Sequence, residues 1–321
     1  MSVATTVLNN PSGAARWWVY QRERFPIVGH GALILAFASG AVCFSAQLRA
    51  AADPSATPVA LASLAVGFLS SFLFFFQLRV SDEFKDLDED TRWRPYRPVP
   101  RGLVTLAELR RIAVAGMFVQ AGAAAWLAPK LLPFLVLVWL YIGLMTREFW
   151  LHEFLKTRPL TVLWTHMLIM PFIDFYATAC DWVATGEGQG RGVGVGLIWF
   201  LVASFFNGIV VEVGRKIRAP EDEEEGVETY SRAWGRRRAI VFWLGAVLVT
   251  YCFALLAARD VGGVKVVSGT LGALAFGAML LGGLVATTPA PGRGKWIEVL
   301  SGLWTIALYL SVGVAPYLLQ H

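Results

Sequence analysis

Long apolar runs separated by short polar segments recur along the whole 321-residue chain. Most are about 17 to 25 residues long, the length a helix needs to cross the hydrocarbon of a bilayer. In lipid the backbone finds no water to bond, so a spanning segment must close its hydrogen bonds internally, as a helix does. The pattern predicts nine spans: about Pro26 to Leu48, Pro58 to Leu78, Leu109 to Ala128, Leu131 to Met145, Leu160 to Cys180, Gly194 to Val213, Ala239 to Ala258, Val266 to Thr287 and Trp296 to Leu318. The expected fold is an all-α integral membrane protein, a bundle of about nine transmembrane helices. Residues 1–25 read as an interfacial arm and residues 26–321 as one transmembrane domain. The arm has no apolar core of the length a cleaved signal peptide needs, so it reads as retained. Trp17, Trp18 and Tyr20 among its arginines suit a membrane interface.

Composition agrees, because 56% of the residues are hydrophobic, against about 45 to 50% in soluble domains. Charge then sets an orientation. With the N-terminus in the cytoplasm, the arm and the even-numbered loops hold all but five of the 28 Lys and Arg residues, and the opposite face holds Arg49, Lys130, Arg191, Arg259 and Lys265. Cations are retained on the cytoplasmic side, so the N-terminus is expected there, in a multi-pass protein of the cell (inner) membrane. The net charge of +5 therefore reflects orientation, and no nucleic-acid partner is implied. Cys43, Cys180 and Cys252 fall within spans and form no C-x-x-C pair, so they read as buried packing residues. The four histidines have no zinc spacing.

Two loops on the expected cytoplasmic face are long and dense in charge of both signs: Arg79 to Glu108, and Gly214 to Arg238. In the first, the apolar second helix runs into Asp82, Glu83, Asp86, Asp88, Glu89 and Asp90. If the helix continued, Asp82, Glu83, Asp86, Glu89 and Asp90 would share one face at 100° per residue. So many carboxylates repel one another unless water or a divalent cation compensates, and hard oxygen ligands suit Mg²⁺ together with substrate phosphates. The turn Arg94-Pro95-Tyr96-Arg97-Pro98-Val99-Pro100-Arg101-Gly102 follows. Its arginines are shaped to grip a diphosphate.

These residues resemble the UbiA superfamily of intramembrane prenyltransferases, whose Asn-Asp-x-x-Asp-x-x-x-Asp signature is followed by an Arg-Pro-x-Arg-Pro turn ending in Gly. The family's Asn falls on Asp82 and its three Asp positions on Glu83, Asp86 and Asp90, while Arg94-Pro95, Arg97-Pro98 and Gly102 match the turn. The nine-helix count is also the family's. The resemblance implies Mg²⁺ as cofactor, held by Asp82, Glu83, Asp86, Asp90 and Glu212, with Asp82, Asp86, Asp90 and Glu212 as catalytic positions. It implies a prenyl diphosphate donor gripped by Arg94, Arg97, Lys156, Arg158, Arg215 and Lys216, and an unidentified lipophilic or aromatic acceptor.

The second half of the pattern departs. In the family it reads Asp-x-x-x-Asp, an acidic stretch, a Gly, and a Thr three residues on. Glu212 stands for the first Asp, and Gly226 with Thr229 matches the end, but Arg215 and Lys216 occupy the partner's place. Three alternatives stay open: a weakly held second metal, Lys216 neutralising the diphosphate directly, or Glu221 or Asp222 folding back as a ligand. His152 to Arg158 resembles the family's aromatic-x-x-x-Lys element with His152 in place of Tyr, which makes Lys156 a diphosphate contact. Asp174, inside the fifth span, is either the acceptor's base or half of a structural pair. The glycines around Gly269, Gly272, Gly282 and Gly283 fit close helix packing. Two further functions remain compatible with this sequence: a membrane terpene cyclase ionising the donor without an acceptor, and a lipid-binding or transport protein that kept the fold and lost turnover.

Overall fold

The computed structural model describes residues 11–186, 194–288 and 290–320. The first ten residues of the arm and Arg191 lie outside the described residues. A short helix α1 (Ala15–Arg24) precedes α2 (Ile27–Ala52) and α3 (Leu61–Lys85). Then come α4 (Leu87–Trp93), α5 (Leu106–Leu127), α6 (Leu132–Thr146), α7 (His152–Lys156), α8 (Pro159–Met167) and α9 (Ile169–Thr185). The chain closes with α10 (Val195–Arg215), α11 (Tyr230–Trp234), α12 (Arg236–Arg259), α13 (Val264–Thr287), α14 (Arg293–Tyr309) and α15 (Ala315–Gln320). No strand occurs among the described residues.

Eight helical stretches among the described residues are long and apolar enough to cross a membrane. They correspond to every expected span except the third. That segment is the 22-residue α5, whose first two turns carry Glu108, Arg110 and Arg111. Thr105 and Glu108 cap it reciprocally, each side chain bonding the other's backbone N–H, which satisfies donors that a helix start leaves open. Mid-helix, Gln120 bonds Gln77 at 2.8 Å and the Ser70 carbonyl at 2.9 Å on α3, so its amide is satisfied where water is excluded.

Two spans are broken by proline. The fifth divides at Leu168 into α8 and α9, because Pro171 has no N–H to donate to Met167 and its ring crowds that carbonyl. The last leaves α-geometry at Leu310–Val314, a π-helical turn before α15. There an added Cβ on Gly313 would strike the Gly40 backbone, so α2 and this turn approach as closely as small residues allow. Gln47 donates to the Gly313 carbonyl at 2.7 Å across the same contact. Of the four glycines expected at packing faces, Gly272 meets Tyr251 and Gly282 meets Ile240 and Leu244, whereas Gly269 and Gly283 face open space. Cys43 and Cys180 are buried as expected, but Cys252 is exposed on the outside of α12.

One hydrophobic core runs from Phe37 on α2 to Val312. A second, small cluster of Tyr20, Val80, Leu103, Val104 and Leu109 joins α1 to the end of α3 and the start of α5. Polar contacts then define the two ends of the bundle. At one end meet α1, the segment after α3, the α6–α7 connection, the segment after α10 and the start of α14. Arg16–Glu108, Lys85–Glu148, Tyr96–Glu224 and the Gly292 N–H to Asp222 make these joins. At the other end Arg49 grips Asp181 through two bonds of 2.7 and 2.8 Å, both side chains buried.

Candidate active site at the acidic end of the bundle

The helix carrying the first acidic motif does not continue through it. Asp86 adopts φ −89° and ψ 3°, ending α3 and starting α4. The expected single stripe of carboxylates is therefore divided between two helices, and each acid has its own surroundings. Asp90 is 1% exposed and accepts bonds from Arg97 at 2.6 and 2.8 Å and from Arg94 at 2.9 Å. The Arg-Pro-x-Arg-Pro turn thus folds its two arginines back onto the last acid of the motif. Glu83, 2% exposed, pairs with Arg24 of α1. The more exposed Asp82 meets Arg79 at 3.4 Å. Among the described residues Asp86 forms no ion pair. Burial, and then the negative charge of Asp82, raise its pKa above the ordinary carboxylate value.

Opposite lies the end of α10. Glu212 is gripped by Arg215 at 2.6 Å and by Lys216 at 3.0 Å. Positions three and four residues apart share one helix face, so both cations flank the carboxylate, and the last turn of a helix favours positive charge. The Lys216 ammonium sits 5.6 Å from the Tyr230 ring centre, and the Tyr230 N–H donates to the Lys216 carbonyl at 3.2 Å. The segment after α10 meets the segment after α3 through Tyr96–Glu224 and Gly226–Trp93, which brings Glu212, Arg215 and Lys216 to the same end of the bundle as Asp82 and Asp86.

The long loops meet above this point. Tyr96 donates to Glu224 at 3.2 Å, and Gly226, at φ +72°, presses on the Trp93 indole where any Cβ would collide. Both the backbone conformation and the contact demand glycine there. The acids of the second loop are engaged too: Asp222 accepts from the Gly292 N–H at 2.7 Å and Glu223 from the Thr229 hydroxyl at 2.7 Å. Neither folds back toward Glu212.

Three residues not expected from the sequence border the site. Lys85 lies 3.1 Å from His166 Nε2 and 3.6 Å from Glu148. Glu148, Phe149 and Trp150 all have positive φ, at 46°, 55° and 56°, a conformation that costs non-glycine residues of the order of 1 kcal/mol or more each. The strained turn delivers Glu148 to Lys85, and Glu148 also meets His152. Behind them pack Phe149, Tyr141 and Phe172. Lys85's position inside the first motif was the available signal; the turn had none. Lys156 is exposed on α7, and Arg158 stacks on Phe154 at 3.9 Å. Asp174 lies apart in the bundle interior, accepting from Tyr309 at 2.7 Å, while its other oxygen has no partner among the described residues. His166 and Tyr176, its neighbours in sequence, point elsewhere, to Lys85 and to Ser70.

Among the described residues no three His, Cys, Asp or Glu side chains converge as a ready-made metal site. Of the four acids at the motif positions of the first segment, Asp82 and Asp86 are the two not consumed by short arginine bonds. That fits Mg²⁺, which typically takes one or two carboxylates, keeps several waters and completes its shell with substrate phosphates.

Comparison with known proteins places these features. No curated protein matches the chain in sequence. A UbiA homologue from Aeropyrum pernix K1 superposes with a TM-score of 0.65 at 15% identity, covering 88% of this chain and 96% of that one. A UbiA homologue from Archaeoglobus fulgidus, bound to DMAPP and Mg²⁺, gives 0.56 at 14%, covering 91% and 98%. A digeranylgeranylglyceryl phosphate synthase gives 0.56 at 12%, covering 93% and 99%. These likenesses establish a shared fold. The model of the UbiA prenyltransferase family matches residues 38–280, a stretch holding both acidic segments and the arginine turn that follows the first, and the chain belongs to that family.

Proposed function

We propose that this protein transfers a prenyl group from an allylic prenyl diphosphate to an acceptor within the membrane, in a Mg²⁺-dependent reaction. The observation carrying this reading is that Asp82, held only by a 3.4 Å contact to Arg79, and Asp86, with no ion pair among the described residues, lie at the same end of an apolar, aromatic-rich bundle as the cations Arg215 and Lys216. Asp82 and Asp86 would hold the cation, which when bound stabilises the leaving diphosphate. Arg215, Lys216 and Lys85 add fixed positive charge around that group, and Lys156 with Arg158 lies at its rim. Glu83 and Asp90, expected among the ligands, instead anchor α1 and the arginine turn, because a guanidinium already occupies each. Arg94 and Arg97 accordingly shape the motif. The apolar interior excludes water from the allylic cation, and aromatic faces such as Phe149 and Tyr141 tolerate its charge. In this reading the acidic end faces the cytoplasm.

The relatives support this reading through the DMAPP and Mg²⁺ held by the Archaeoglobus homologue. The test is release of diphosphate from geranyl, farnesyl and geranylgeranyl diphosphates by the purified protein with Mg²⁺. Turnover with an added phenolic or lipid acceptor is expected. No release with any donor would overturn the reading, and a cyclic product from donor alone would replace transfer by cyclisation.

A further inference from the structure

The two halves of the site differ in what balances their charge. Asp82 and Asp86 retain oxygens open to a cation. Glu212 does not: Arg215 holds Oε2 at 2.6 Å through both Nε and a terminal nitrogen, and Lys216 holds Oε1 at 3.0 Å. A Mg²⁺ ion needs oxygens at about 2.0 to 2.1 Å in octahedral array, and here it would have to displace two resident cations. Of the two acids that the sequence left as substitutes, Asp222 is bonded to the Gly292 N–H and Glu221 is exposed on the loop; their neighbour Glu223 is bonded to Thr229. The residues of this half do not fit a metal. A carboxylate pair plus Mg²⁺ would carry no net charge, whereas Glu212 with Arg215 and Lys216 carries one positive charge. Positive charge at the end of the bundle that holds Asp82 and Asp86 is therefore supplied by the chain itself. Its position is fixed by Glu212 and by Tyr230 beneath Lys216.

We propose that this chain binds its diphosphate with one divalent cation, held at Asp82 and Asp86, and that Arg215 and Lys216 form a protein-borne cation site in place of a second metal. This rests on the reading that the substrate is a prenyl diphosphate. The pair contacts the diphosphate oxygens directly, Arg215 through the terminal N–H groups that Glu212 leaves free and Lys216 as a point charge.

The test counts metal on the full-length protein in detergent, with geranyl S-thiolodiphosphate, an analogue that resists ionisation, and Mn²⁺ as the cation. Calorimetry measures analogue binding and electron paramagnetic resonance counts bound Mn²⁺. Wild type is expected to take up one Mn²⁺ per bound analogue. K216D, which places a carboxylate four residues after Glu212, is expected to take up two. K216M should keep one Mn²⁺ and bind the analogue roughly ten- to hundredfold more weakly, the loss expected for a charge-assisted bond. Two Mn²⁺ per wild-type chain, unchanged affinity in K216M, or one Mn²⁺ in a K216D protein that melts like wild type would each overturn the proposal while leaving the substrate reading intact. If K216D does not fold, wild type and K216M decide. Failure of wild type to bind the analogue at all would overturn the substrate reading, and this proposal with it.

Discussion

Acidic residues that look equivalent in the sequence have different chemical fates in the folded chain. Asp90 is buried between two arginines and Glu83 is buried against a third, so in the proposed reading both act as structural anchors. Removing one partner of a buried pair typically costs about 3 to 5 kcal/mol. Asp90→Ala is accordingly expected to lower the melting temperature of the purified protein sharply, in thermal melts without substrate. Asp86 behaves in the opposite way. Burial and the neighbouring Asp82 raise its pKa, so it holds its proton more tightly folded than unfolded. Its contribution therefore favours the folded state at low pH and is lost as pH rises through the raised value. Asp86→Asn removes that loss: without Mg²⁺ the variant should melt above wild type at neutral pH, with the gap closing toward the ordinary carboxylate range. The same variant should lose at least about a hundredfold in diphosphate release, since metal stabilisation of a leaving group contributes several kcal/mol. A melting gap that widened on acidification would contradict the assignment. The sequence spacing named Asp82 and Asp86 but could not rank them against Glu83 and Asp90, because the rank depends on which arginine arrives from elsewhere in the chain.

At the scale of elements, the site is assembled by short helices and turns that hydropathy does not register. Helix α1 docks through Arg16–Glu108, Glu23–Arg101 and Arg24–Glu83. Its arginines had read as interfacial charge, although Tyr20, expected at the interface, is buried beneath it at 2% exposure. Arg24→Ala should leave Glu83 unpaired and release α1, increasing hydrogen exchange over residues 15–24 while the spans stay protected. Unchanged protection of that segment would mean the pair does not hold it. The two acidic loops meet where Gly226 lies on Trp93. Gly226→Ala combines a strained φ with a collision, and it is expected to reduce turnover at least tenfold, an effect of about 1.4 kcal/mol or more, with a smaller effect on melting. The long spans themselves were legible because one-dimensional hydropathy is what lipid selects. The breaks at Leu168 and Leu310–Val314 follow from Pro171 and Pro316, which the hydropathy pattern passes over.

For the whole molecule, the alternation of polar contacts between the two ends matches an up-and-down bundle, and the opposite end is closed by the buried Arg49–Asp181 pair. Placement of the acidic end in the cytoplasm is an expectation from the cation distribution alone. It can be checked with a thiol introduced at the exposed Glu89 after Cys252→Ser removes the exposed cysteine. An impermeant maleimide should label it in inside-out vesicles and not in right-side-out ones; the reverse pattern would invert the topology.

The sequence alone determined the membrane fold, because apolar length and charge placement act through the solvent and need no tertiary partner. It also carried the motif spacing, which belongs to the chain itself, although the break at Asp86 divides that motif between two helices. Which carboxylates remain open to a cation was decided only by the tertiary structure. Arg24, 59 positions from Glu83, and the loop after α10, whose Glu224 lies 128 positions from Tyr96, meet the first motif only after the helices pack. Burial then makes each pairing strong enough to fix a residue's role. The acidic motif is written in one segment, but its charge balance is shared by the whole bundle.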